Sequence, residues 1–170
     1  MQNIYRTTIT TPKILRDSHH LQNRWSLDKT ELIRHCIEIN KPIPSIFPDL
    51  NLSFYNTEKN QFLDLRGINL SDMNIGEVDL AYCVLDYANF SYCSLNKTQF
   101  QYSRMISVDF SYAQLNQIQM SPIDAMHANF NNSVISNSFM KASNLDFIEK
   151  DNIQLINTDL DTCSMREVQK

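Results

Sequence analysis

The chain has 170 residues, of which 42% are hydrophobic and 20% charged, with a formal net charge of −4. This is the composition of an ordinary single domain with a small appendage. Only 2 glycines are present, which leaves almost nothing for the glycine turns of a sandwich or barrel. No apolar run is long enough for a membrane span, and residues 1–20 lack the apolar core of a secretory signal.

Residues 1–62 contain no repeat and predict a partly helical leader. The segment SLDKTELIRHCIEIN, residues 26–40, predicts an amphipathic helix in which Asp28 and Glu31 are spaced as a capping box. Its predicted apolar face comprises Leu32, Ile33, Cys36 and Ile37. Residues 11–25 predict a weaker helix, and the proline-containing residues 41–55 predict an irregular segment. We expect this leader to cap the domain that follows.

From residue 63 onward the chain repeats every five residues. At every fifth position from Leu65 to Met165, 19 of 21 residues are large and apolar, where the overall composition would give about nine. Two residues before each lies a small or aliphatic residue without charge, and the residue between them is mostly Asp, Asn, Gln or Ser. A period of five fits neither a helix nor a strand, so the chain must turn every five residues into a solenoid.

A longer repeat, of twenty residues, gives the number of sides. ANFSYCSLN at 88–96 returns as VDFSYAQLN at 108–116 and as ANFNNSVIS at 128–136. A four-sided coil places each residue directly over the residue twenty positions later. We therefore predict one core column of Phe90, Phe110 and Phe130 and another containing Leu95 and Leu115.

These units resemble the A(D/N)LXX motif of the pentapeptide-repeat family. The closest copies are VDLAY at 78–82, ANFSY at 88–92, VDFSY at 108–112, ANFNN at 128–132 and TDLDT at 158–162. The resemblance covers residues 63–167 and implies an all-β fold, a right-handed quadrilateral β-helix. The predicted organisation is a capping leader of residues 1–62, a β-helix of residues 63–167 and a tail of residues 168–170.

The same register explains the cysteines. Cys83, Cys93 and Cys163 occupy the small inward position, so we expect buried, unpaired thiols without a redox or metal role. Lys150 breaks the pattern at a large inward position, and Leu155 resumes the count without an insertion. Because an unpaired ammonium in a dry core is costly, a local bulge or an outward flare is favoured over a buried functional lysine.

No catalytic motif, phosphate-binding loop or cofactor site is found, and we predict that the protein is not an enzyme. His19, His20, His35 and Cys36 could be assembled into a zinc site, but their spacing does not fit one, and solvated histidines are favoured. The recurring aspartates occupy the polar repeat position, so their spacing follows the fold and predicts no acid and base pair.

Two surfaces are candidates for binding a protein partner. Five tyrosines fall two residues after a large core residue, at positions expected to face outward: Tyr82, Tyr87, Tyr92, Tyr102 and Tyr112. We expect them to form one outer wall, with a structural ladder of stacked tyrosines as the alternative. The C-terminal coil near Leu160 and Met165 has no obvious cap and is the candidate surface for a homodimer.

Two functions remain as alternatives. The transition FLDLRGINLSD resembles the start of repeat domains in secreted bacterial effectors of the family, which favours a protein-binding scaffold acting in the bacterial cytoplasm or, after export, in host cells. Some family members instead mimic DNA and bind DNA gyrase. Residues 63–167 carry 13 Asp or Glu against 6 Lys or Arg, a modest excess for that task. Neither alternative predicts direct binding of nucleic acid.

Overall fold

A computed structural model describes residues 24–38, 51–57 and 60–167. One helix, α1, spans Leu27–Glu38. The strands are β1 Asn51–Thr57, β2 Asn60–Asp64, β3 Asn74–Ile75, β4 Cys83–Val84, β5 Ser94–Asn96, β6 Gln114–Asn116, β7 Val134–Ser136 and β8 Gln154–Ile156. None of the described helices is long and apolar enough to cross a membrane.

The repeats form a four-sided β-helix of about five coils, as predicted from the five-residue and twenty-residue repeats. Each coil pairs in parallel with the next at a separation of twenty residues. On one side, β3, β5, β6, β7 and β8 form a continuous parallel sheet in which Leu95 lies opposite Leu115. Bridges such as Asn89 to Asp109, Gln99 to Gln119 and Arg104 to Asp124 continue the same register on the other three sides.

The four sides are numbered in chain order by their inward central residues. The first side contains Leu65, Leu85, Met105, Ala125, Leu145 and Met165. The second side contains Leu70, Phe90, Phe110, Phe130 and Lys150. The third side contains Ile75, Leu95, Leu115, Ile135 and Leu155. The fourth side contains Leu80, Phe100, Met120, Met140 and Leu160. Each side is followed by the corner of the same number.

The interior of the β-helix is a stack of side chains in sequence order. Phe90, Phe110 and Phe130 are fully buried in one column, with ring centroids 5.1 Å and 5.3 Å apart. Phe100 meets Phe90 and Phe110 edge-on from the fourth side, at 5.8 Å and 6.1 Å. Leu95 and Leu115 are buried in the third-side column. Similar residues therefore stack on one another, as the twenty-residue repeat predicts.

Small polar residues are accommodated in the core because they bind the backbone of the previous coil. The Ser103 hydroxyl donates to the Leu80 carbonyl at 2.8 Å and accepts the Cys83 N–H at 3.0 Å. The Cys93 thiol donates to the Leu70 carbonyl at 2.9 Å, and burial raises the pKa of this thiol to about 11. Cys83 and Cys93 are buried free thiols, as predicted, whereas Cys163 in the last coil is only half-buried.

Helix α1 packs on the first coil and begins two residues earlier than the predicted capping box indicates. The Ser26 hydroxyl accepts the Lys29 N–H at 3.3 Å, so Ser26 is the N-cap and the predicted capping box of Asp28 and Glu31 is wrong. The helix buries three of its four predicted apolar residues, Ile33, Cys36 and Ile37. Leu32 is 42% exposed, because it lies at the margin of this face. Most of the second predicted helix, residues 11–23, lies outside the described residues.

Three side chains of the leader close the upper rim of the first coil. In the interior, carbonyls at these repeat positions accept an N–H from the preceding coil, as Asn89 O accepts from Leu70 N at 2.8 Å. The first coil has no preceding coil, and Arg24, Trp25 and Arg34 supply the donors instead. Their acceptors are the carbonyls of Asp64, Arg66, Asn69 and Ser71, at 3.1, 2.8, 3.4 and 3.2 Å.

A strand extends the first side at the same end. β1 pairs antiparallel with β2, and β2 pairs in parallel with β4 of the next coil. Residues 51–55 are therefore a strand, and the prediction of an irregular segment is wrong for them. The preceding residues 41–50 lie outside the described residues. The division of the chain at residues 62 and 167 remains a prediction.

Lys150 occupies its repeat position without a bulge or a flare, which corrects the expectation. Glu149 bridges Asn129, and Asn132 N donates to Asp151 O at 2.8 Å, so the backbone keeps the regular register through this residue. The ammonium is tolerated because Lys150 belongs to the last coil. Its side chain is 40% exposed, and Nζ lies 2.8 Å from a Glu167 carboxylate oxygen.

Removing an aromatic ring should lower the free energy of unfolding much more at a core column position than at a corner position. Phe110→Ala should lower the free energy of unfolding by about 3–5 kcal/mol, because it leaves a cavity between Phe90 and Phe130. Tyr112→Ala removes a ring of similar size from an exposed corner and should cost about 1 kcal/mol or less. Urea unfolding followed by circular dichroism measures both, and equal losses would contradict the assignment of inside and outside.

Candidate protein-binding surface

The corners of the β-helix present their side chains to solvent through a left-handed backbone conformation. The residue two positions after each central residue has a positive φ at most corners, and a turn such as Cys93 N to Phe90 O at 3.2 Å closes around it. All five candidate tyrosines occupy this position. The φ angles of Tyr82, Tyr87, Tyr92, Tyr102 and Tyr112 are 56°, 60°, 58°, 62° and 59°.

The tyrosines lie at three corners and do not form the single wall expected from the sequence. Tyr82 and Tyr102 lie at the fourth corner, Tyr92 and Tyr112 at the second, and Tyr87 at the first. Residues ten positions apart are separated by half a coil of twenty, so the second and fourth corners are diagonally opposite. The expectation failed because each tyrosine follows the five-residue period, whereas only a twenty-residue spacing returns to the same corner.

Two of the corners carry a stacked tyrosine pair. The rings of Tyr92 and Tyr112 are 4.8 Å apart and within 1° of parallel, and these residues are 58% and 48% exposed. The rings of Tyr82 and Tyr102 are 5.0 Å apart at 12°. Tyr102 is 45% exposed, whereas Tyr82 is half-buried. The β-helix therefore has two rigid aromatic ridges on opposite corners.

The first corner continues with other aromatic residues that sequence reasoning missed. Tyr87 is half-buried there. Further along, His127 and Phe147 stack at 5.2 Å, and the Arg166 guanidinium lies 5.6 Å from the Phe147 ring centroid. The signal was available in the sequence as two aromatic rings spaced twenty residues apart, but neither of them is a tyrosine.

Carboxylates on the first side are neutralised by arginines. The buried Asp86 carboxylate pairs with the Arg104 guanidinium and accepts the Ile106 N–H at 3.1 Å. Asp64 is bound by Arg24 at 2.6 Å and by Arg66 at 2.9 Å. Burial opposes ionisation of Asp64, but these arginine contacts outweigh it and lower its pKa.

Two further aspartates on this side have pKa values shifted in opposite directions. Burial would raise the pKa of Asp146, but hydrogen bonds from Arg166 and Ser164 lower it to about 2. Burial raises the pKa of Asp124, whose carboxylate accepts a hydrogen bond from the Asn144 amide at 2.9 Å. Arg104 lies opposite Asp124 in the bridge between coils, but its guanidinium is engaged by Asp86.

The second side has a different electrostatic character. It and its corner carry Asp72, Asp109, Glu149 and Asp151, and no ion pair joins these carboxylates to a cation among the described residues. Serine and asparagine side chains separate them, and Asn131 donates to Glu149 at 2.9 Å. The Tyr92 and Tyr112 ridge therefore borders a polar, weakly acidic side.

The described residues contain no group of three or more metal-ligating side chains. His35 is 61% exposed whereas Cys36 is 1% exposed, so these two neighbours point in different directions and do not converge on a site. His19 and His20 lie outside the described residues. The aromatic corners and the polar second side are therefore candidate surfaces for recognition among the described residues.

Comparison with known proteins agrees with the fold. Residues 64–101, 74–111 and 83–121 match the family described as pentapeptide repeats (8 copies). Residues 64–121 of the chain are therefore pentapeptide repeats of this family. No curated protein matches the chain.

Several solved structures resemble this pentapeptide-repeat protein. A pentapeptide repeat protein, Rfr23, from the cyanobacterium Cyanothece 51142 aligns over 60% of this chain and 83% of its own, with 19% identity and a TM-score of 0.58. QnrB1, a plasmid-mediated fluoroquinolone resistance protein, aligns over 59% and 68%, with 16% identity and a TM-score of 0.27. HetL, involved in heterocyst differentiation regulation in the cyanobacterium Nostoc sp. strain PCC 7120, aligns over 59% and 86%, with 12% identity and a TM-score of 0.20.

Asp86, which is buried, and Asp124, which is half-buried, predict stability losses of different size. Asp86→Asn should cost about 3 kcal/mol, because the largely buried Arg104 guanidinium loses its carboxylate partner. Asp124→Asn should cost less than about 1 kcal/mol at neutral pH, because burial already opposes the charged form. Thermal unfolding of the two variants compares them, and an equal loss would show that Asp124 also depends on a cation.

Asp146 predicts a loss of stability in acid. Its pKa is lower in the folded chain than in the unfolded one, so its contribution is fully present above pH 4 and is lost as pH falls towards 2. Asp146→Asn should remove this part of the pH dependence while lowering stability at neutral pH. Unfolding free energies measured between pH 2 and 7 test the point. Parallel pH profiles for the two proteins would contradict it.

Proposed function

We propose that this pentapeptide-repeat protein is a non-enzymatic scaffold that binds another protein through its tyrosine ridges. The observation that carries the proposal is the pair of tyrosine stacks on opposite corners, Tyr92 with Tyr112 and Tyr82 with Tyr102, in which every ring except that of Tyr82 is exposed. Tyrosine offers a large amphipathic contact area at low entropic cost, and it is favoured in protein interfaces. A stack held by the coil spacing is already ordered before binding.

The backbone at these positions supports a role beyond folding. Asparagine and glycine adopt a positive φ at the lowest cost, and a bulky residue there is uncommon. Asn132 and Asn152 occupy the next two positions of the second corner with φ of 60° and 57°. The fold therefore does not require tyrosine at this corner. Stacking contributes to the stability of the coil, and Tyr92 and Tyr112 remain 58% and 48% exposed in the stack.

Mimicry of DNA, as an inhibitor or protector of DNA gyrase, is the weaker candidate function. Arginines neutralise Asp64, Asp86 and Asp146 on the first side, and lysines pair with Glu77 and Asp159 on the others. The remaining acidic residues on the second side are interrupted by neutral amides. A gyrase supercoiling assay decides between the two functions, because mimicry requires an effect that weakens as salt rises.

The scaffold can act in two places, the cytoplasm of the producing bacterium or a host cell reached by export. The leader resembles those of secreted effectors, and residues 1–23 lie outside the described residues. Fusion of the whole chain to a translocation reporter tests export directly. Binding through the tyrosine ridges is proposed for either setting.

Double substitutions separate the two ridges. Tyr92→Ser with Tyr112→Ser removes the second-corner ridge, and Tyr82→Ser with Tyr102→Ser removes the fourth-corner ridge. We expect one pair to abolish capture of the partner in a crosslinking and affinity experiment, because interface aromatics carry a large share of the binding energy.

The other pair serves as the matched control, since it makes the same chemical change at the diagonal corner. Circular dichroism must show that both variants stay folded. Unchanged capture by both folded variants would refute the proposed surface.

A further inference from the structure

The last coil ends in a strand edge on the third side. In the interior, Asn137 N donates to Ile156 O at 2.9 Å, and Lys97 N donates to Asn116 O at 2.9 Å. The equivalent N–H of Asn157 has no acceptor in the described part of the chain, and β8 pairs with β7 alone. The backbone here offers hydrogen-bonding groups in the geometry of a strand.

Apolar side chains accompany this edge. Leu155 is 44% exposed, whereas Ile135 and Leu115 in the same column are 1% exposed. Ile156 points outward and is 48% exposed. The other coils hold polar or small residues at the Ile156 position: Gly76, Asn96, Asn116 and Ser136. The apolar change at Ile156 is therefore confined to the coil that forms the edge.

The first coil of another copy does not fit as the occupant. On the first and second sides of that coil, the carbonyls that would pair with the last coil of this copy are already bound by Arg24, Trp25 and Arg34. Helix α1 covers the core beneath these carbonyls. Head-to-tail stacking of two β-helices is thus blocked. The same end of the molecule shows what does fit an edge of this solenoid, because β1 extends the first side as an added strand.

We propose that the β8 edge binds an extended segment of another protein, which adds a sixth strand to the third-side sheet. The segment carries an aliphatic side chain over Leu155 and an apolar side chain beside Ile156. Asp151 is exposed at the second corner, where this edge begins, so a basic residue precedes the apolar pair. This surface is separate from the tyrosine ridges.

A peptide probe tests the edge. Since like stacks on like in this solenoid, the probe is the chain's own residues 152–158 with one lysine added at the N-terminal end, to face Asp151. Titration into the isotope-labelled full chain should shift the amide resonances of Leu155 and Asn157. Ile156→Lys and Leu155→Lys should each weaken binding by about tenfold or more. Ile156→Lys changes only an outward side chain, so its effect does not depend on the folding of the core.

Further controls make the outcome specific. Methylating one alternate set of peptide amides should abolish binding, because only one set faces the edge, and methylating the other set should not. The double tyrosine variants should bind the probe normally, so failure here is distinguishable from failure of the proposed function. Absent shifts, or equal binding by both methylated probes, would overturn the proposal. Protection of the Leu155 amide in a concentration-dependent dimer would assign the edge to a second copy and overturn it too.

Discussion

The fold depends on backbone hydrogen bonds between residues that lie one coil apart. Each coil donates to the next and accepts from it, as Phe110 N does with Asn129 O at 2.8 Å and Asn129 N does with Val108 O at 2.9 Å. These bonds exist only if every coil contains the same number of residues. The requirement explains why Lys150 stays in register although its side chain does not suit a core position. A bulge would displace every later residue from its column.

The core and the corners could be predicted from the sequence because each follows a period. A large apolar residue at every fifth position predicts the length of one side. The recurrence of Phe90 as Phe110 and Phe130 predicts the length of one coil. The grouping of the tyrosines failed for a related reason, since it applied the period of a side where the period of a coil was needed. Tyr82 and Tyr92 are neighbours in the pattern and lie on opposite corners.

The closure of the first coil could not be predicted, because it has no period. Arg24, Trp25 and Arg34 bind carbonyls that lie 35 to 41 residues away in the chain. Nothing in the local pattern around them indicates those partners. The Asp86 and Arg104 pair is another contact of this kind, since two charged residues at outward repeat positions gave no sign that one would be almost completely buried.

The separation of cap and coils has a consequence for the length of the protein. Among the described residues, the side chains of the leader hydrogen-bond to the first coil, and each later coil pairs with its neighbours. A whole coil of twenty residues could therefore be inserted between two existing coils without changing either end, and it would lengthen the rod by about 4.8 Å. Among proteins that differ by whole coils, the distance from the helical cap to the last coil would differ by multiples of this rise. The number of coils therefore sets the length of the β-helix.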